Sequence, residues 1–444
     1  MRRVKKHIGL IIILIIIVAF PTSLSNQTKL NMRVVVTGIA VDKTEDEFEV
    51  TAQIVKTPSG SKGAGTSASV DFISDKGKTV AAAVSKLAFK AGKSAAFSHT
   101  NYVILGKDML GEDLTKDLDY FIRDKIIKNS ALVLFAKEKA SDEIKNTKST
   151  DLSVGIGLQQ VFLFKEYESD GKMVTMMDFL NSNRSLSKTA TASEFSLETN
   201  EESQKQSSAS SGGSQSESSQ SGNSGGEGDQ SSQSQGGSGS GGGSESGGDS
   251  GSSGGSGGGS GGSSESKYFK AQSPILCFVS GKFVGKFETE DETAGFMLSQ
   301  KEPKAMDIYF ESSSDGVLKG AKIEVNIKNM RTEHKVRFEN NSPCIDVKIK
   351  IYNAEINEIL SDEIVASLDD KEYETAKKDL AAAISEKIAK CFEKSKEFKA
   401  DIFSAYEKAY KYHYKTTKNN YNSREDFLEK LKLSVSVDVN KLDY

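Results

Sequence analysis

Between Asn200 and Lys267 the chain carries no Val, Ile, Leu, Met, Phe or Tyr. A stretch such as GGSGSGGGSESGGDSGSSGGSGGGSGGSSES has nothing to bury against a core, so its chain entropy goes uncompensated and it is expected to be disordered. Everything that folds must come from two blocks, residues 27–199 and 268–444. With free ends, a Gly/Ser coil of this length spans about 45 Å and would act as a spacer. The alternative is a loop insertion whose two ends stay close, because each doubling of loop length costs only about 0.6 kcal/mol. The flanks TATASEFSLETN and YFKAQSPILCFVS both read as strands, which favours the insertion.

The first block mixes strands and helices. RVVVTGIAVD and EFEVTAQIV flank a turn signal at Lys43-Thr44-Glu45-Asp46 and predict a hairpin. The glycines of SGSKGAGTS lack the GxxxxGK[ST] spacing of a phosphate loop, so nucleotide binding is not indicated. Val80, Val84, Leu87, Ala88 and Ala91 share one helix face, and Leu114, Leu118, Phe121 and Ile122 stripe another helix. NYVILG and ALVLFAK read as buried strands, with further helices around Ile156–Tyr167 and Met176–Asn183.

The second block opens on LCFVSGKFVGKF, a hairpin with its turn at Gly281-Lys282. MDIYF, KIEVNIK, EHKVRFE and CIDVKIKIY follow with period-two alternation, the pattern of a sheet with one wet face. From Asp369 to Tyr412 there is no Gly or Pro, and Leu380, Ile384, Ile388, Cys391, Phe398, Ile402 and Ala405 recur at steps of three and four. That stripe predicts a long amphipathic helix, or two in series, lying on the sheet. KLSVSVDV ends the chain as a strand. The expected class is α+β and multi-domain, with antiparallel-rich mixed sheets and packed helices.

The N-terminus reads as an export segment. Arg2, Arg3, Lys5 and Lys6 precede an uncharged run from Ile8 to Phe20, then Pro21 and small polar residues. Residues 1–26 are therefore expected to be either a cleaved signal or, extended through Leu24, an uncleaved anchor. Both place the rest of the chain on the exported side of a membrane. Cys277, Cys344 and Cys391 are odd in number and lack CxxC spacing, so no disulfide framework is indicated. Cys277 and Cys391 read as buried small hydrophobes. The 58 Lys and Arg against 62 Asp and Glu, a net charge of −4, argue against a nucleic-acid partner.

Signals for chemistry are sparse. His7, His99, His334 and His413 are scattered, with no HExxH or paired ligand spacing, and no GxSxG surrounds a serine outside the tract. Neither a catalytic centre nor a metal or small-molecule cofactor is expected. The acidic run Glu288, Glu290, Asp291 and Glu292 is explained by a capping box, Thr289 with Glu292, opening a helix. Negative charge in a first turn is favoured by the helix dipole, by about 0.3–1 kcal/mol per residue. Two features suit partner binding. Tyr406, Tyr410 and Tyr414 fall at i, i+4 spacing on one predicted helix face, and tyrosine suits surfaces that are half apolar and half wet. His99 lies just before a buried strand in FSHTNYVILG.

In order along the chain, several of these segments resemble the Ger(x)C spore germination proteins, the C subunits of nutrient germinant receptors. VVVTGIAVDK is similar to that family's first strand, and GKTVAAAVSKLAFKAGKSAAFSHTNYVILGKDML to its helix, His-containing turn and strand. DLDYFIRD resembles the helix closing in an Arg, here Arg123. ILCFVSGKFVGKFETEDETAGF looks like the hairpin and helix opening its C-terminal region, and KADIFSAYEKAYKYHY its late Asp-Ile-Phe segment. Three departures stand out: no N-terminal lipobox cysteine, Ser404-Ala405 where a Gly usually follows Asp-Ile-Phe, and the Ser/Gly tract itself. The resemblance implies a non-enzymatic subunit on the outer face of the spore inner membrane, beside A-type and B-type membrane subunits, that couples nutrient binding to germination. It implies two family domains, 27–199 (α/β) and 268–444 (α+β). Membrane attachment would come from an uncleaved N-terminal helix or from the partner subunits.

Overall fold

The computed structural model describes residues 33–56, 69–90, 94–123, 126–146, 172–198, 268–303, 305–314, 316–361 and 367–444. The expected export segment, the SGSKGAGTS loop, the helix at Ile156–Tyr167 and the Ser/Gly tract lie outside these residues.

The first sheet has nine strands: β1 (Arg33–Lys43), β2 (Phe48–Lys56), β3 (Ser69–Gly77), β4 (Ser94–Ala96), β5 (Tyr102–Leu105), β6 (Leu132–Ala136), β7 (Thr189–Glu198), β8 (Tyr268–Val279) and β9 (Lys282–Phe287). Their order is β3-β2-β1-β5-β6-β7-β8-β9, with the short β4 also on β1. The β1–β2 hairpin forms as its sequence predicts, while β1, β5, β6 and β7 run parallel. Every residue of YVIL and LVLFA is buried, as parallel strands covered on both faces require. Helices α1 (Val80–Lys90), α2 (Leu114–Arg123) and α4 (Met176–Arg184) cover one face. The seven-residue α3 (Ala140–Asn146) covers the other, over Tyr102, Ile104, Leu134 and Phe195.

Strands β7 and β8 pair antiparallel, from Thr189 opposite Val279 out to Glu198 opposite Tyr268. The chain therefore leaves and re-enters the sheet at adjacent positions, the arrangement of an insertion rather than a spacer. The hairpin read as opening the second block completes this first sheet. Its turn falls one residue earlier than expected, at Ser280 and Gly281, with φ of 53° and 81°. This left-handed pair suits the right-handed twist of a hairpin, and Gly at the second position carries no Cβ penalty. The buried Asn183 side chain accepts from the Gly281 N–H at 2.9 Å, and the Gly281 carbonyl accepts from Leu114 N–H at 3.1 Å.

β8 is a wall shared by two cores. Leu276 and Phe278 point into the first core and Ile275 and Cys277 into the second, which is why PILCFV is apolar without a break. Burying each large side chain there is worth about 1.5–3 kcal/mol.

The second sheet comprises β10 (Met306–Glu311), β11 (Lys322–Glu339), β12 (Ser342–Leu360), β13 (Lys432–Val439) and β14 (Leu442–Asp443), in the order β10-β11-β12-β13 with β14 also on β12. KIEVNIK and EHKVRFE, expected as separate strands, are one continuous 18-residue β11. Register shifts between Glu324 and Met330 absorb the break in alternation. Ile323, Val325 and Ile327 face the core as their spacing predicts.

Five helices complete this part: α5 (Glu290–Leu298), α6 (Asp370–Glu397), α7 (Ala405–Tyr412), α8 (Tyr414–Asn420) and α9 (Arg424–Lys430). Leu380, Ile384, Ile388 and Cys391 form the buried stripe of α6. The stripe does not continue as helix: Lys399 and Ser404 adopt φ of 51° and 52°, and residues 398–404 form a bend before α7. Of the two readings, helices in series is the one observed. Cys277, Cys344 and Cys391 are all free and buried, and burial pushes the Cys277 thiol up to about 12. Among the described residues no helix is long and apolar enough to cross a membrane.

Candidate functional site

The predicted tyrosine row forms, but not on one helix. The chain breaks at His413, whose φ of −132° and ψ of 41° are non-helical, so Tyr414 opens α8 rather than closing α7. The His413 ring nitrogen Nε2 bonds to the Val336 carbonyl at 3.1 Å, which pins the break to β11. The rings still line up, with centroids 6.0 Å apart for Tyr406–Tyr410 and 4.9 Å for Tyr410–Tyr414. Tyr406 turns inward and packs edge-on against Phe427 at 5.4 Å, so its role is largely structural. Tyr414 is 44% exposed and Tyr412, outside the predicted row, is 69% exposed. A hydrogen bond with Lys418 pulls the Tyr414 phenol below its ordinary pKa, whereas the bond to Tyr414 pushes Tyr410 up.

His99 ends a short 3-10 turn, Phe97–His99, between β4 and β5 and is exposed. Among the described residues no hydrogen bond or ring contact joins it to the tyrosines. The four candidate residues therefore occupy two separate places, one on the first sheet's periphery and one on the α7–α8 bend.

The acidic run is a helix start with an added role. Thr289 and Glu292 make both bonds of the capping box. Asp291 pairs with Lys387 and, at 2.6 Å, with Lys390, both on α6. Hydrogen bonds from Lys387 and then Lys390 hold its carboxyl below the usual range. The two helices also approach closely at Gly295, where an added Cβ would lie 2.1 Å from the Lys387 carbonyl oxygen.

Two aspartates in the segments singled out above do work that spacing does not reveal. Asp42, at the end of β1, accepts from the N–H groups of Ala140 at 2.7 Å and Ser141 at 2.8 Å, capping α3 from 98 residues away. Asp401 does the same for α7. Its carboxylate accepts from Ala405 N–H at 2.6 Å, Tyr406 N–H at 2.9 Å and the Ser187 hydroxyl at 2.8 Å. Its own N–H donates to the Thr189 hydroxyl at 2.9 Å. Burial raises the Asp401 pKa, and the bonds from Ser187, Ala405 and Tyr406 pull it back in part. Arg424, 5% exposed, donates to the Ser187 carbonyl at 2.9 Å and pairs with Glu425. The Asp-Ile-Phe bend is thus bolted to the start of β7, joining the last part of the chain to the first sheet. The only sequence signal was an Asp inside an otherwise apolar and basic run.

Residues 26–197 match the family model described as spore germination protein N-terminal domain. Residues 275–441 match the model described as spore germination B3/GerAC like, C-terminal. No curated protein matches the chain. A solved structure, the crystal structure of the GerBC protein, is similar over 91% of this chain and 97% of its own, at 14% identity and a TM-score of 0.47. With the N-terminal and C-terminal family models matched in order on either side of the Ser/Gly tract, the chain belongs to the GerAC, or Ger(x)C, family of spore germination proteins, the C subunits of germinant receptors.

Proposed function

We propose that this chain is a non-enzymatic C-type subunit of a nutrient germinant receptor at the spore inner membrane, packed against A-type and B-type membrane subunits and coupling nutrient sensing to germination. The observation that carries the reading is the ordered match of both family models over most of the chain outside the tract. The shared wall at β8 and the Asp401 bolt support it, because they tie the two matched regions, 26–197 and 275–441, into a body suited to passing on a displacement. Residues 1–26 would hold the chain at the membrane as an uncleaved helix, or the partner subunits would. The exposed Tyr412 and Tyr414, the half-buried Tyr410 that packs on Tyr414 and, separately, the exposed His99 are the proposed partner contacts.

The test is fractionation and deletion. A tagged chain is expected in the inner-membrane fraction of spores, and its deletion is expected to slow nutrient-triggered germination. Normal germination in a deletion strain without a paralogue overturns the proposal. The second reading, an exported binding or adhesion protein with the tract as spacer, requires separable halves, which the β7–β8 pairing disfavours. Proteolysis within the tract followed by native chromatography distinguishes them: halves that co-elute exclude the spacer.

A further inference from the structure

β10 (Met306–Glu311) is an edge of the second sheet, paired on one side to β11. In an antiparallel ladder every second residue turns its N–H and C=O away from the neighbouring strand. Among the described residues no strand, turn or side chain meets those outward groups of β10. An open edge templates another strand, so edges are normally closed by a bulge, a proline or charge, lysine above all. The register of β10 runs unbroken from Met306 opposite Ile327 to Glu311 opposite Lys322, and its exposed residues are Asp307, Tyr309 and Glu311. Its guard is negative charge alone, which turns away acidic strands and admits basic ones. On the edge strand β3 of the first sheet, by contrast, Lys90 and Lys86 of α1 occupy the carbonyls of Ser74 and Lys76, at 2.7 and 2.8 Å.

Two hollows flank the β10 edge, and Tyr309, Phe310 and Glu311 line both. On the wet face, about 270 Å³ lies between them and Glu324, Glu358 and Leu360. On the helix side, about 320 Å³ lies between them and Asp291, Asp379, Ala383 and Glu386. A strand added beside β10 sends successive side chains to opposite faces, one set towards each hollow. Tyr309 and Leu360, 52% and 57% exposed, give the first hollow an apolar floor.

Both hollows are negative. In the first, Glu311, Glu324 and Glu358 face one cation, Lys322, and none of the three forms an ion pair among the described residues. In the second, Asp291 and Glu386 are paired with lysines of α6, whereas Asp379 accepts from the neutral Ser312 and Ser313. Burial, and then Glu324, Asp307 and Glu290, raise the pKa of the Tyr309 phenol, so the same field is felt on the strand itself.

We propose that β10 is a strand-addition site for an extended basic segment of another protein, whose backbone continues the second sheet and whose lysines or arginines enter the acidic hollows. A second copy of this chain fits poorly, because antiparallel pairing of two β10 strands centred on Tyr309 sets Asp307 against Glu311 across the join. The proposal goes beyond the receptor reading and does not rest on it, since the test measures binding to the purified chain.

The test uses the full chain purified in detergent and a capped peptide alternating lysine and valine, of about seven residues to match β10. Binding is read by anisotropy of the labelled peptide and by hydrogen exchange along β10. The peptide is expected to bind saturably and to slow exchange about tenfold at alternate β10 amides, those turned away from β11. Glu324→Gln with Glu358→Gln, both on the wet face, is expected to weaken binding about tenfold. Glu429→Gln, exposed on α9, is expected to leave it unchanged. A glutamate–valine peptide, and the lysine–valine peptide N-methylated at alternate residues, are expected not to bind. Equal binding of the N-methylated peptide would reduce the effect to charge attraction and overturn the assignment. So would undiminished binding in the double variant, or protection of β10 that rises with protein concentration in the absence of peptide, the mark of a second copy.

Discussion

His334→Leu separates acid sensitivity from packing at one position. The imidazole sits in β11, edge-on to Phe403 at 5.5 Å, and its Nε2 is buried with no hydrogen-bond partner among the described residues. Burial, followed by repulsion from Lys408, depresses its pKa from the usual 6.5 to about 4, while a backbone bond to Ser299 opposes the shift. The unfolded chain therefore binds a proton that the folded chain refuses between these values. Above pH 6.5 both states are neutral and His334 costs nothing; as pH falls towards 4, stability is lost. A depression of this size corresponds to about 3 kcal/mol at the acid end. At neutral pH, leucine removes an orphaned nitrogen and loses the Ser299 bond, so the variant should lie within about 1 kcal/mol of wild type. Urea unfolding followed by circular dichroism, at intervals from about pH 7 to pH 4, reads the difference between the two proteins, in which all other groups cancel. The gap should open in favour of leucine by about 3 kcal/mol. A gap independent of pH would refute the depressed pKa and the burial argument behind it.

Three further outcomes follow from the packing. Gly295→Val drives a side chain into the Lys387 carbonyl and should cost about 2–3 kcal/mol, seen as a lower thermal midpoint; an unchanged midpoint means α5 and α6 do not meet there. Asp401→Ala removes a cap and strands the Ser187 hydroxyl, for a loss of about 3 kcal/mol in chemical denaturation. Adding Ser187→Ala should then cost little more, and full additivity would show that the two residues act independently. Replacing residues 199–267 by Asn-Gly should keep the fold and stabilise it by about 2–3 kcal/mol, since Glu198 already faces Tyr268; loss of cooperative unfolding would argue that the tract has a structural role.

Much of the fold was legible because it rests on local patterns. Alternation in KIEVNIK assigned Ile323, Val325 and Ile327 to the core, the Thr289–Glu292 spacing announced a helix start, and the three-and-four stripe located α6. Each depends on backbone periodicity or on groups within one turn, so neighbouring residues carry the whole signal. The breaks were harder. His413 interrupts α7 because of a bond to Val336, and residues 398–404 bend where Phe398 and Ile402 keep the apolar spacing of a helix. Periodicity cannot tell a continued helix from a bend that places the same side chains on the same core.

What the sequence by itself determined is the chain's division by a Ser/Gly tract with no large apolar residue, the type of most of the described elements, and, through short motifs taken in order, the family. Tertiary structure alone decided that β8 and β9 close the first sheet and that one apolar strand serves two cores. It also decided that Asp42 caps a helix 98 residues away, that Asp401 accepts from Ser187 214 residues away, and that Lys172, His334 and Lys408 line one cleft. These are contacts between residues tens to hundreds of positions apart. Their free energy depends on burial and on the partner's geometry, neither of which is written in the neighbouring letters.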